Sequence, residues 1–124
     1  MNYRFYYPEW NNRKEVCKDY PQIKEITREP TSFWYGVGPK RTIRKTKKSI
    51  QRLLKRADPY LPVLVVYSIP YRDLGHHSKG GTGSDKEYLE FIREFCDALG
   101  DRSPIVIYEP DCIPHMEEMG VVDG

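Results

Sequence analysis

The run Val63–Ile69 (VLVVYSI) constrains the fold of this chain more than any other segment. It is too short for a helix, and its Val, Ile and Tyr content favours the pleated conformation. Its first half has no polar face, so as a strand it needs cover on both sides, the situation of a strand inside a parallel sheet. Two further runs read the same way, SFWYGV at 32–37 and PIVIY at 104–108. Between the first two, Ile43, Ile50, Leu53, Leu54 and Ala57 recur at helical spacing, with basic residues on the other face. Between the last two, Tyr88, Phe91, Ile92, Phe95 and Leu99 do so. Ser84 and Glu87 form a capping box ahead of them, and Gly100 supplies the stop. The order strand, helix, strand, helix, strand with right-handed crossovers predicts an α/β fold of three adjacent parallel strands.

The N-terminal 30 residues show no strong period. Segments 12–20 and 21–28 suit short helices, Pro21 opening the second, in an irregular arm of aromatic and Pro residues that packs on the first strand. At 124 residues the chain is one small domain with room for a core. Its ordinary apolar fraction of 39% excludes disordered, collagenous and disulfide-scaffold classes. No run approaches the length of a membrane span. The start, MNYRFYYPEWNNRKE, lacks the apolar centre of a secretory leader, which predicts a cytoplasmic protein or one whose leader has been removed.

Cys17, Cys96 and Cys112 are scattered, with neither zinc spacing nor an even count, and suit a reducing compartment. Cys96 is placed on the apolar stripe of its helix, Cys112 reads as a small buried residue, and Cys17 has no evident partner. Charge is unevenly divided. Nine of the 20 Lys and Arg fall between Lys40 and Arg56 with no acid among them, leaving 11 against all 18 acidic residues. Such a block is either a solvated helix face or a patch that steers toward nucleic acid or another anionic surface. No nucleic-acid fold signature accompanies it, so no nucleic-acid partner is expected.

Chemistry in parallel α/β folds gathers at the carboxyl ends of strands. Asp73 follows the second run and Asp111 the third. Neighbouring strands would bring both to one rim, where one carboxyl can donate a proton while the other raises its pKa. Capping of a following helix is the alternative role for Asp111. His76 and His77 lie on a Gly-rich loop without a third ligand, and no metal site is assigned.

The sequence around these acids resembles glycoside hydrolase family 6. VVYSIPYRD is similar to that family's VVYxxPxRDC segment, and IVIYEPD to its strand ending in EPD. The intervening GHHSKGGTGSDKEYLEFIREFCDALGDR stretch resembles its Ser- and Gly-rich loop and following helix, and SFWYG its first strand. The resemblance covers at least residues 62–120. It implies part of a distorted (β/α) barrel and inverting hydrolysis of β-1,4-glucan, with cello-oligosaccharides as partners, no membrane and no cofactor. Asp111 would be the general acid and Asp73 the group that keeps it protonated. Tyr67 would lie at the distorted sugar, and Arg72 would pair with the carboxylates. Ser78, or else Lys79, would correspond to the water-positioning loop serine, on a lid made mobile by Gly75, Gly80, Gly81 and Gly83. Trp34 would stack on a pyranose ring, or else serve as core.

The sequence also departs from the family. Two bridge cysteines are replaced by Leu74 and Met119, which should then meet as an apolar contact. No residue can be assigned as the catalytic base, which an inverting enzyme holds roughly 6.5–9.5 Å from its acid. The expectation is an N-terminal portion of a catalytic domain, with a C-terminal half missing and little activity alone. A noncatalytic glucan-binding remnant and a basic nucleic-acid-binding protein are the alternatives. The family is usually secreted, which sits against the missing leader.

Overall fold

The structure, a computed structural model, describes residues 4–8, 13–38, 42–72 and 80–118. In chain order these form α1 (Arg13–Asp19), two single 3-10 turns (Pro21–Ile23 and Ile26–Arg28), β1 (Ser32–Tyr35), α2 (Ile43–Ala57), β2 (Val63–Val66), α3 (Asp85–Leu99), β3 (Ile105–Tyr108) and α4 (Cys112–Glu118). The three strands form one parallel sheet in the order β1-β2-β3. Trp34 pairs with Val65, and Val65 in turn with Ile107.

β1 and β2 stop sooner at their carboxyl ends than the apolar runs suggested, at Tyr35 and Val66, while β3 ends with its run at Tyr108. One ladder bond continues on each side of β2, Tyr67 N–H to Tyr35 O and Glu109 N–H to Val66 O. Beyond these, the backbone of Ser68 and Ile69 is taken up by a side chain and a loop, which removes it from the ladder.

Leu64 and Val66 point to one face and enter a buried cluster with Tyr35, Ile50, Leu53, Leu54, Phe91, Phe95 and Ala98. That face is therefore covered by α2 and α3, packed against each other. Thr42 caps α2, its hydroxyl accepting from Lys45 N–H at 3.3 Å. Buried Thr46 interrupts the apolar stripe of α2 and satisfies its hydroxyl by donating to Gly36 O at 3.2 Å. Ser84 caps α3 by accepting from Glu87 N–H. The return arm of the expected capping box lands one residue earlier, with Gly83 N–H donating to the Glu87 carboxylate at 2.6 Å. Gly100 ends α3 with a positive φ of 55°, which a side-chain-bearing residue rarely adopts.

Three cysteine expectations need correction. Cys96 is exposed, because it lies one position past Phe95 and so about 100° further round the helix, off the buried stripe. Cys112 is half-buried, and the Cys17 sulfur has a neighbour in the Thr27 hydroxyl at 3.5 Å. The N-terminal arm does pack on the first strand, with the Tyr6 ring stacked 5.8 Å from Phe33. It also pairs with the chain entering β2, through Tyr6 N–H to Leu61 O and Leu61 N–H to Arg4 O. No helix among the described residues is long and apolar enough to cross a membrane.

β2 has the two-sided burial its sequence required: Leu64, Val65 and Val66 are all fully buried. β3 does not. Ile105, Val106, Ile107 and Tyr108 are each 37–54% exposed, and no described strand pairs with its outer edge.

The helix layer sets a first test. Phe91, 1% exposed, is in contact with the Phe95 ring, so Phe91→Ala should destabilise the chain by about 3–5 kcal/mol in urea titrations followed by circular dichroism. Cys96→Ser should stay within about 0.5 kcal/mol of the parent, as for an exposed position.

Candidate active site at the carboxyl ends of the strands

Ser68, just past β2, is fully buried and uses every polar atom it has. Its N–H lies 2.9 and 3.0 Å from the two oxygens of the Glu109 carboxylate, and Ile69 N–H donates to the same group at 3.2 Å. The Ser68 hydroxyl accepts from Val37 N–H at 3.0 Å, and its carbonyl accepts from both the backbone and the hydroxyl of Thr82. One residue thus ties the end of β1, the end of β3 and the approach to α3 to the end of β2.

Glu109 is only 2% exposed. Its φ is 41°, a left-handed conformation uncommon for a residue with a side chain. The hydrogen bonds over-determine that conformation. They turn Glu109-Pro110-Asp111 out of the line of β3, and Cys112 N–H to Glu109 O closes the turn at 3.0 Å. Asp111 is consequently exposed at the rim, immediately before the first residue of α4.

Trp34 lies on the sheet face away from α2 and α3, since its neighbours in β1, Phe33 and Tyr35, pair with Leu64 and Val66 on the helix side. It is 55% exposed, which sets aside the core reading. The Tyr67 ring meets it edge-on at 5.7 Å, an 84° arrangement that suits the two ring quadrupoles. Above the Tyr67 ring, 4.2 Å from its centre, lies the Arg72 guanidinium, whose Nη1 donates to Tyr67 O at 2.6 Å. Gly36 permits this packing, because a Cβ there would come 2.5 Å from Tyr67 O.

Trp34, Tyr67 and Arg72 are therefore brought together, with Asp111 at the same end of the sheet. Asp73, Ser78, Lys79, His76 and His77 lie outside the described residues, as do Leu74 and Met119. The flanks of that loop are described: Arg72 and Gly80 form an antiparallel bridge through Gly80 N–H to Arg72 O. Gly81 follows with φ 86°, where a Cβ would come 2.0 Å from Ile69 O, so only glycine fits. Among the described residues no group of three His, Cys, Asp or Glu side chains could hold a metal.

Tyr88 of α3 places its hydroxyl 2.5 Å from that of Tyr108. Burial, then the Tyr108 hydroxyl, then Glu109 push its phenol well above the usual range, so it stays neutral. A separate cleft of about 490 Å³ lies between the N-terminal ends of α2 and α3, lined by residues including Thr42, Arg44, Glu87 and Glu90. It contains none of Trp34, Tyr67, Arg72 and Asp111.

Glu109 and Ser68 were missed as functional positions. Glu109 sits inside the EPD motif, and the available signal was an acid directly following an apolar strand, where an ionised group must find partners.

Residues 8–123 match the family described as Glycosyl hydrolases family 6. The chain belongs to that family. It is 38% identical over 96 residues to Endoglucanase 1 of Streptomyces sp. (strain KSM-9), covering 76% of this chain and 26% of the relative. To Endoglucanase A of Thermobispora bispora it is 32% identical over 97 residues, covering 77% and 21%. The described fold resembles the solved endoglucanase Cel6 of Mycobacterium tuberculosis in complex with methyl-cellobiosyl-4-deoxy-4-thio-β-D-cellobioside, with a TM-score of 0.78 at 21% identity over 94% of this chain and 41% of that one. The fold is thus three parallel strands with crossover helices, part of a distorted barrel. The chain spans about a quarter or less of the length of these curated relatives.

The buried carboxylate carries the second test. Glu109→Ala would leave the amides of Ser68 and Ile69 unpaired, at about 1–3 kcal/mol each. Glu109→Gln keeps one acceptor and should cost less. Urea titrations should rank the parent above Gln and Gln above Ala, and amide exchange at Ser68 and Ile69 should accelerate in the same order.

Proposed function

We propose that this chain is the N-terminal portion of the catalytic domain of an inverting β-1,4-glucan hydrolase. Asp111 serves as general acid toward the glycosidic oxygen, and Asp73 holds that acid protonated. The observation that carries the reading is the rim itself: an exposed Trp34 braced by Tyr67 and Arg72, at the strand ends where Asp111 is turned toward solvent. A broad apolar ring beside a proton donor suits a pyranose, whose C–H face stacks while its bridging oxygen is protonated. The relatives, endoglucanases, and the cellobioside analogue bound to the solved Cel6 chain favour the same substrate class.

In this reading the sugar lies across Trp34 with its ring against Tyr67. Arg72 steadies the carboxylates, and Ser78 or Lys79 helps to place water. Inversion needs a base on the opposite side of the sugar, roughly 6.5–9.5 Å from the acid with a water between. We assign that base to a C-terminal half of the same domain. The open side of β3 supports this, because Ile105 and Ile107, on the same sheet face as Trp34, are exposed, and the outer edge of β3 is unpaired among the described residues. A parallel sheet is ordinarily covered on both faces, so further strands would bury these side chains and build the far wall of the cleft together.

A glucan-binding role without catalysis uses the same residues, and activity separates the two. On barley β-glucan, the 124-residue chain alone should release almost no reducing sugar, while calorimetry should detect weak cellotetraose binding that Trp34→Ala abolishes. With the remaining half supplied, turnover should appear and fall about 100- to 10,000-fold in Asp111→Ala. Robust turnover by the chain alone would overturn the divided site. Absence of turnover with both halves present would leave the binding role.

A further inference from the structure

The face of α2 that points away from the sheet takes no part in that site, and its charge runs against the helix's own stability. The helix carries seven Lys and Arg and no acid. Arg44 and Lys45 lie in its first turn, where the macrodipole disfavours cations. Arg44, Lys48, Arg52 and Arg56 follow one another at i, i+4, a spacing at which like charges repel. Lys47 alone among these cations is ion-paired within the described residues, reaching sideways to Glu94 at 2.6 Å and Asp97 at 3.7 Å on α3. Arg44, Lys48, Arg52 and Lys55 are exposed and make no ion pair with a described residue. At 3.6 residues per turn Lys48, Arg52 and Lys55 fall within about 30° of the line opposite the buried Ile50, Leu53, Leu54 and Ala57, in a row roughly 10 Å long, while Arg44 lies about 50° off that line, toward the cleft it shares with Glu87 and Glu90.

We propose that this row is a binding surface for a single chain of a linear carboxylated polysaccharide, a polyuronate. The shape of the surrounding charge selects the partner. α3, packed alongside at a helix-to-helix distance of roughly 8–10 Å, carries five acidic residues against two basic ones. A nucleic-acid duplex or an anionic bilayer broad enough to meet α2 would also meet that acidic neighbour, whereas a single narrow chain running along α2 avoids it. A bilayer gains nothing from insertion either, because the apolar face of α2 is already buried in the core. Single-stranded nucleic acid binds through bases stacked on aromatic rings, and the row contains no aromatic residue. Lys48, Gln51, Arg52 and Lys55 line a shallow groove there, with the amide of Gln51 available to sugar hydroxyls between the charges.

The site lies on the helix layer, away from Trp34 and Asp111, and does not depend on the glucan reading. The test uses the 124-residue chain and an oligogalacturonate of defined length in calorimetric titrations. Binding should be measurable at about 25 mM NaCl and weaken roughly tenfold or more by about 200 mM, as expected when several cations release counterions. The triple variant Lys48→Gln, Arg52→Gln, Lys55→Gln should lose it at least about tenfold and melt no lower than the parent, since Gln is a good helix former and the repulsion is relieved. Cellotetraose binding should be unchanged in that variant, and Arg102→Gln, which removes a cation elsewhere, should leave oligogalacturonate binding intact. No binding at low salt, full binding by the triple variant, or tighter binding of oligo(dT) or of phosphatidylglycerol vesicles than of oligogalacturonate would overturn the proposal.

Discussion

The carboxylate of Glu109 on the amides of Ser68 and Ile69 is the contact on which the rim depends. A parallel sheet supplies no hydrogen bonds past the last ladder rung, so where β2 ends its next two N–H groups need acceptors that are not another strand. Glu109 provides them from the neighbouring strand, about forty residues away in sequence. Because Ser68 also receives Val37 and Thr82, the same contact determines where β1 leaves the sheet and where the chain approaches α3. A buried ionised group is tolerable only when its lone pairs are engaged. Here they are engaged by backbone, which cannot move aside as a side chain could.

The same contact explains the backbone at Glu109. A φ of 41° is unfavourable for glutamate in isolation, and it persists because the side chain is held on one side and the carbonyl on the other, by Cys112 N–H. The result is that Asp111 emerges toward solvent instead of continuing β3. Trp34 reaches the same end by a simpler route, as an outward-facing residue of β1 supported by the Tyr67 ring and, through it, by Arg72. Two independent devices, a strained turn and an aromatic brace, therefore present an acid and an exposed indole at the carboxyl end of the sheet.

Much of this was legible in the residues. The two-sided apolar character of VLVV marked β2 as a parallel strand covered on both faces, and the spacing of Ile50, Leu53 and Leu54, and of Phe91 and Phe95, located the buried faces of α2 and α3. Patterns of this kind report burial directly, so they survive into the fold. Strand ends were less legible, since Tyr67, Ser68 and Ile69 continue the apolar run while their backbone leaves the ladder for partners distant in sequence. Cys96 shows the same limit at finer scale: its position at the margin of a helical stripe left its exposure to be decided by what packs beside it. Glu109 stood inside a recognised motif, but its role follows from a backbone angle and contacts across two strands, neither of which a linear pattern encodes.

β3 links the stability of the fold to the proposed chemistry. The buried cluster draws on β1, β2, α2 and α3, and no residue of β3 belongs to it. The strand that leads to Asp111 is thus the least supported of the three, held by its ladder to β2 and by Glu109 while its four side chains stay 37–54% exposed. Exposed apolar edges are sites of further strand pairing. In the proposed enzyme, the segment that pairs there would bury Ile105 and Ile107, steady the strand beneath the acid and carry the far wall of the cleft. Strand pairing and completion of the catalytic pair would then be one event, and the acid would gain its rigid support only when the rest of the site is in place.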